Sequence, residues 1–160
     1  MKHFLKYWKH YGFALEFGQP LRFAPSNQLV RRNVAAGDTL WLVTLIEKRL
    51  TLLGRLEIGS LHSKRSAAQI LGRPLHSATE YAFACPGTEM LGIEIDLGPL
   101  ASQLCFLSRS SGPQLAPLSL GDRRTVEWVR ELKDGSARLL EHLIASHHAR
   151  GLFCINREYH

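Results

Sequence analysis

The side chains in this chain best suited to chemistry are amides, hydroxyls, guanidiniums and indoles. Ser26-Asn27-Gln28 follows Pro25 and precedes the basic pair Arg31-Arg32. Ser26 is a good helix N-cap after the extended lead-in that proline favours, so a short helix is expected over Ser26–Asn33. Asn27 and Gln28 then fall in the first turn, where backbone N–H groups lack partners. Each amide carries both a donor and an acceptor, so it either supports the cap or reads the edge of a base. Arg55 beside Gly54 is either a solvated edge residue or a ligand clamp. Arg109-Ser110-Ser111-Gly112-Pro113 is a polar loop that offers hydroxyls and a guanidinium to phosphate. Lys6 with Ser26 or Thr39 is the one lysine–hydroxyl combination suited to catalysis.

Enzyme signatures are missing. The chain has no GxSxG, no phosphate-binding Walker loop, no GxGxxG and no HExxH. Its three cysteines (Cys85, Cys105, Cys154) form no CxxC pair, and they are read as buried free thiols rather than as disulfides or a zinc ribbon. His147 and His148 are adjacent, so on a helix they share no face and make a poor metal pair. Glu94 and Asp96 alternate on a solvated strand face. No cofactor and no metal are expected.

The elements that must position these groups are legible in the hydrophobic pattern. Lys2–Trp8 reads as a first strand, whose neighbouring Tyr7 and Trp8 must point to opposite faces. The stretch from 9 to 25 is a long aromatic-rich connection containing Phe13, Phe17 and Phe23. Gly37-Asp38 turns into a hairpin made of Thr39–Ile46 and Leu50–Ile58. Thr39–Ile46 is apolar on both faces, with Trp41, Val43 and Leu45 on one and Leu40, Leu42, Thr44 and Ile46 on the other. In its partner Leu52, Gly54, Leu56 and Ile58 share a face, and Gly54 marks a bulge, a sharp bend or a close backbone approach. A helix over 63–72 is expected to be capped by Ser63, stopped by Gly72 and buried through Ile70 and Leu71. Strands follow at 79–85, 91–97 and 105–108, with a helical turn at 100–104, and helices at 125–133 and 136–146 close the chain. The pattern predicts one domain over 1–146 and a C-terminal tail over 147–160.

At 160 residues with 45% hydrophobic side chains, such a domain buries a core without staples. No apolar run approaches the roughly 20 residues that span a bilayer, and Met1–Lys6 lacks the apolar centre of a signal peptide, so a cytoplasmic protein without a membrane partner is expected. The net charge of +6 and the pI of about 9.5 suit a polyanionic partner. Arginine heavily outnumbers lysine, and it is the better phosphate fork and stacking group.

Several short motifs carry a resemblance to a known family. They are Phe4-Leu5-Lys6-Tyr7-Trp8, Ser26-Asn27-Gln28, Ala36-Gly37-Asp38-Thr39-Leu40-Trp41, Leu53-Gly54-Arg55, the Leu104-Cys105-Phe106 strand and the Ser136–Leu143 helix. Over most of residues 3–145 the chain resembles the PUA-like superfamily, within it the EVE and YTH-like group. The resemblance implies an α+β fold, a PUA-like open β-barrel of about five to six mixed strands surrounded by short helices. It implies a non-catalytic module that binds DNA or RNA and holds a modified base, methylated or hydroxymethylated, in an aromatic pocket. Trp8 and Trp41 would then be the pocket walls, with Ser26, Asn27 and Gln28 at the base edge, and Lys6, Arg31, Arg55 and Arg109 would form the rim. The connection from 9 to 25 is longer than the family start implies, so Phe13, Phe17 or Phe23 could fill the pocket mouth. A separate effector such as a nuclease is compatible with this role. The alternatives are an enzyme on the same barrel, a nuclease or hydrolase of the ASCH type, and a small-ligand or protein-interaction module.

Overall fold

A computed structural model describes residues 1–8, 20–75, 78–90, 92–108, 112–115 and 129–155. Among these residues nine strands join one mixed sheet: β1 (His3–Tyr7), β2 (Phe23–Ser26), β3 (Thr39–Ile46), β4 (Arg49–Ser63), β5 (Glu80–Ala84), β6 (Ile95–Asp96), β7 (Cys105–Ser108), β8 (Gly112–Leu115) and β9 (Arg130–Leu132). Two α-helices accompany them, α1 (Lys64–Leu71) and α2 (Asp134–Ile155), together with 3-10 turns at Val30–Arg32 and Gly98–Gln103. The sheet runs β2-β5-β4-β3-β1-β9-β7-β8, with β6 added on β4. The β1–β3 pair is parallel and the others are antiparallel.

The path is open from β2 to β8 rather than closed into a barrel, and it holds more strands than the five or six expected. Three short strands account for much of the difference. Phe23–Ser26 reads in sequence as connection and cap, Gly112–Leu115 as loop, and Arg130–Leu132 as the end of a helix. The last is a correction with a tertiary cause. Val126, Val129 and Leu132 step by three as a helix would, but residues 130–132 fill the slot between β1 and β7 and take their backbone partners there. The first four residues of that expected helix lie outside the described residues. α2 starts two residues before the expected 136 and continues past 146 to Ile155, across the expected start of the tail.

β3 is the centre, buried on both faces as its composition requires. Trp41 and Val43 enter one core with Leu5, Leu50, Leu52, Phe106, Leu132 and the Ala137, Leu140 and Ile144 face of α2. Leu40 and Leu42 enter the other, with Phe4, Trp8, Leu29, Val34, Leu53, Leu56 and Ile58. The β3–β4 hairpin turns through Glu47 and Lys48, both at positive φ as a type I′ turn demands. Asp38 closes the entrance: its carboxylate oxygens accept from the backbone N–H groups of Lys2 (2.8 Å) and Ala35 (3.0 Å).

Gly54 explains how β4 serves both cores. The register slips between Leu42 and Val43, and Gly54 sits at φ +141°. Leu50 and Leu52 before the bulge face the Trp41 core, whereas Leu53, Leu56 and Ile58 face the Trp8 core. The single face expected for Leu52, Gly54, Leu56 and Ile58 is therefore broken, because the extra residue at the bulge shifts the alternation. A Cβ on Gly54 would lie 2.6 Å from Leu21 Cδ1.

α1 is capped by Ser63, which accepts from Ser66 N–H at 3.3 Å, and stopped by Gly72 in the left-handed region, as the sequence predicts. Its buried residue is Ala67, not Ile70, which is 54% exposed. The small side chain lets the helix sit close on Tyr81, and Ile70 is left on the outer side.

Candidate nucleic-acid interface

The expected pocket walls are not in one place. Trp8 and Trp41 are both buried, and they occupy opposite cores. They cannot flank one base. The reason lies in the parallel β1–β3 pairing, which sends Phe4, Lys6 and Trp8 to one side of the sheet and Leu5 to the side that Trp41 occupies. Lys6 is buried too, and its Nζ donates to the Tyr7 carbonyl at 2.8 Å. Burial lowers its ammonium from the ordinary 10.5 to about 8. A group enclosed in this way is no rim contact for phosphate.

Arg55 is withdrawn from the rim by carboxylates. Its guanidinium pairs with Glu57 at 3.4 Å and with Glu141 of α2 at 2.5 Å. It ties β4 to the C-terminal helix through a partly exposed ion pair, its side chain 36% exposed. Arg109 lies outside the described residues.

The Ser26 segment stays together, with a different structure from the one expected. Ser26 is buried as the last residue of β2, paired with Glu80, and its Oγ accepts from Gln28 N–H at 3.2 Å. Pro25 is tolerated because β2 is an edge strand. Only Val30–Arg32 is helical, and Asn33 ends the turn in the left-handed region. The orphan N–H groups of Leu29 and Val30 are capped by Glu80 Oε2 at 2.6 and 3.2 Å, a role the sequence does not announce. Asn27 Oδ1 is committed to Thr79, whose N–H and Oγ1 donate at 2.8 and 3.2 Å. Gln28 Oε1 is buried without a hydrogen-bond partner among the described residues, and Arg31 is exposed.

Aromatic side chains gather instead on the outer face of β2, β5 and the end of β4. Register places Phe23 across from Phe83, Pro25 across from Tyr81, and Ser60 and His62 across from Phe83 and Tyr81. Phe23 and Phe83 are 5.9 Å apart between ring centroids, and His62 meets Phe83 edge-on at 5.1 Å. Tyr81 is buried under α1, whereas Phe23, Phe83 and His62 are half-buried at its margin. The Arg73 guanidinium, just past the end of α1, sits 5.9 Å from the centre of the Phe23 ring. Arg22 just before β2, Lys64 and Arg65 in the first turn of α1, and Arg73 are all exposed. Of the phenylalanines considered for the pocket mouth, Phe23 belongs to this row; Phe13 and Phe17 lie outside the described residues. The alternation of Tyr81 and Phe83 with Ala82 and Ala84 is the signal that could have found the row. It marks an aromatic face opposite a small-residue face packed in the core.

No family model, curated protein or solved structure matches this chain. No group of histidine, cysteine, aspartate and glutamate among the described residues could hold a metal ion. No helix among them is long and apolar enough to cross a membrane.

Proposed function

We propose that this chain is a nucleic-acid-binding module, with the β2–β5–β4 face as its contact surface. The observation that carries the reading is Arg73 placed over Phe23 in a row with Phe83 and His62, with Arg22, Lys64 and Arg65 of the adjoining elements also exposed. Half-buried rings offer a π-face to a base, worth about 1–3 kcal/mol for each base stacked. The exposed cations supply the sequence-independent attraction of phosphate.

Two finer points belong to the same proposal. One is a PUA-like open barrel of the EVE and YTH type. It is supported by the bulge that bends β4 between two partners and by the parallel β1–β3 pair at the centre of a mixed sheet. The other is preference for a modified base in DNA or RNA, for which the sequence resemblance is the support. Photo-crosslinking tests the surface directly. Oligonucleotides carrying bromouracil, with and without a methylated or hydroxymethylated neighbour, are irradiated with the protein and the peptides mapped by mass. Adducts on Phe23, His62 or Phe83 are expected. Adducts confined to the α2 side of the sheet would overturn the assignment.

A further inference from the structure

The outer end of β4, within the proposed contact face, holds a hydrogen-bonded chain. Ser60 Oγ and His62 Nε2 are 2.8 Å apart, and His62 Nδ1 lies 3.1 Å from Ser66 Oγ. Residues 60 and 62 alternate onto the same strand face, and Ser66 returns over them in the first turn of α1. That turn is fixed by Ser63 accepting from Ser66 N–H. The Phe83 edge packs the imidazole ring from the side. Thus both ring nitrogens are engaged and the ring plane is held. Ser60 and His62 both remain half-exposed. A hydroxyl in reach of an imidazole that a third group orients is the arrangement of an activated nucleophile.

We infer that Ser60 and His62 form a nucleophile–base pair, positioned by Ser66, that accepts acyl groups from activated carboxylic esters. With the imidazole proton on Nδ1, held toward Ser66 Oγ, Nε2 is the acceptor for the Ser60 proton. Attack forms a bond from Ser60 Oγ to the ester carbonyl carbon. The C–O bond to the leaving alcohol breaks, and that alcohol takes the proton from Nε2. Water then enters by the same route, giving its proton to Nε2, and releases the free acid as Oγ recovers the proton. Phe83, the cross-strand partner of Ser60, and Phe23 beyond it provide an apolar wall, so the acyl group is apolar.

The test is labelling of the intact protein by an alkyl fluorophosphonate, which bonds phosphorus to Oγ and expels fluoride. The adduct is located by tandem mass spectrometry. Labelling is expected at Ser60 in the folded chain, absent from Ser60→Ala, and slowed at least about a hundredfold in His62→Asn, the scale of general-base assistance. Ser66→Ala is expected to slow it several-fold, with Ser66→Thr, which keeps the hydroxyl, restoring the rate; an unaltered Ser66→Ala rate would contradict the positioning role. The wild-type chain in urea serves as a control independent of any variant's folding. Loss of Ser60 labelling there supports the assignment. No adduct at Ser60, equal labelling in urea, or a His62→Asn rate equal to wild type would overturn it.

Discussion

Lys6 is a buried cation held by burial below its ordinary range. Among the described residues its Nζ has one hydrogen-bond acceptor, the Tyr7 carbonyl, for three donors. Below about pH 8 the ammonium is charged in folded and unfolded chains alike, and the folded chain carries the full desolvation penalty. Between about 8 and 10.5 the folded chain alone loses the proton, so stability rises with pH through that window. Lys6→Met is expected to stabilise the protein by on the order of 3 kcal/mol at pH 7, with the gain shrinking as pH rises from about 8 to 10.5. Urea denaturation of both proteins across this pH range checks it. Trp41, fully buried, behaves oppositely: Trp41→Ala is expected to cost about 3–5 kcal/mol, read from the same curves. Any loss of ligand binding in that variant should track the unfolded fraction. Neither role was visible from residue type. A lysine and a tryptophan are as suited to a pocket as to a core, and only the parallel β1–β3 pairing sends them to opposite interiors.

At the scale of elements, β4 and the turn after β2 decide the architecture. Gly54 must remain glycine, because its φ is positive and a Cβ would meet Leu21. Gly54→Ala is expected to destabilise by at least about 2 kcal/mol in thermal or urea unfolding. Glu80 joins β5 to the 3-10 turn through two backbone N–H groups, and Glu80→Ala is expected to cost about 1–2 kcal/mol. Faster amide exchange at Leu29 and Val30 would locate that effect.

These elements also show why parts of the fold were readable. The hairpin, the α1 caps, the bulge at Gly54 and the two faces of β3 and β5 follow from local alternation and turn chemistry. β2 and β9 did not, since strands of three or four residues carry too few alternations to outweigh Pro25 in one and a three-residue step in the other. The Glu80 cap joins residues fifty apart in sequence, and no local pattern encodes such a contact.

Across the whole molecule, the basic excess is distributed by pairing as much as by number. Arg55 is paired with Glu57 and Glu141, while Arg22, Lys64, Arg65 and Arg73 are exposed, Arg73 over the Phe23 ring. The composition suits a polyanionic partner, and the fold separates a cation held by carboxylates from exposed ones. The two indoles expected to hold a base are buried in opposite cores, whereas Phe23 and Phe83 on the β2–β5 edge are half-buried. The most direct measurement is fluorescence anisotropy of short single- and double-stranded oligonucleotides over a salt series, for wild type, Arg73→Ala and Arg55→Ala, with folding checked by circular dichroism. The account predicts affinity that falls with salt and a slope reduced by about one in Arg73→Ala, with no such change in Arg55→Ala. Affinity that is absent at low salt, or that depends on Arg55 and not on Arg73, would contradict it.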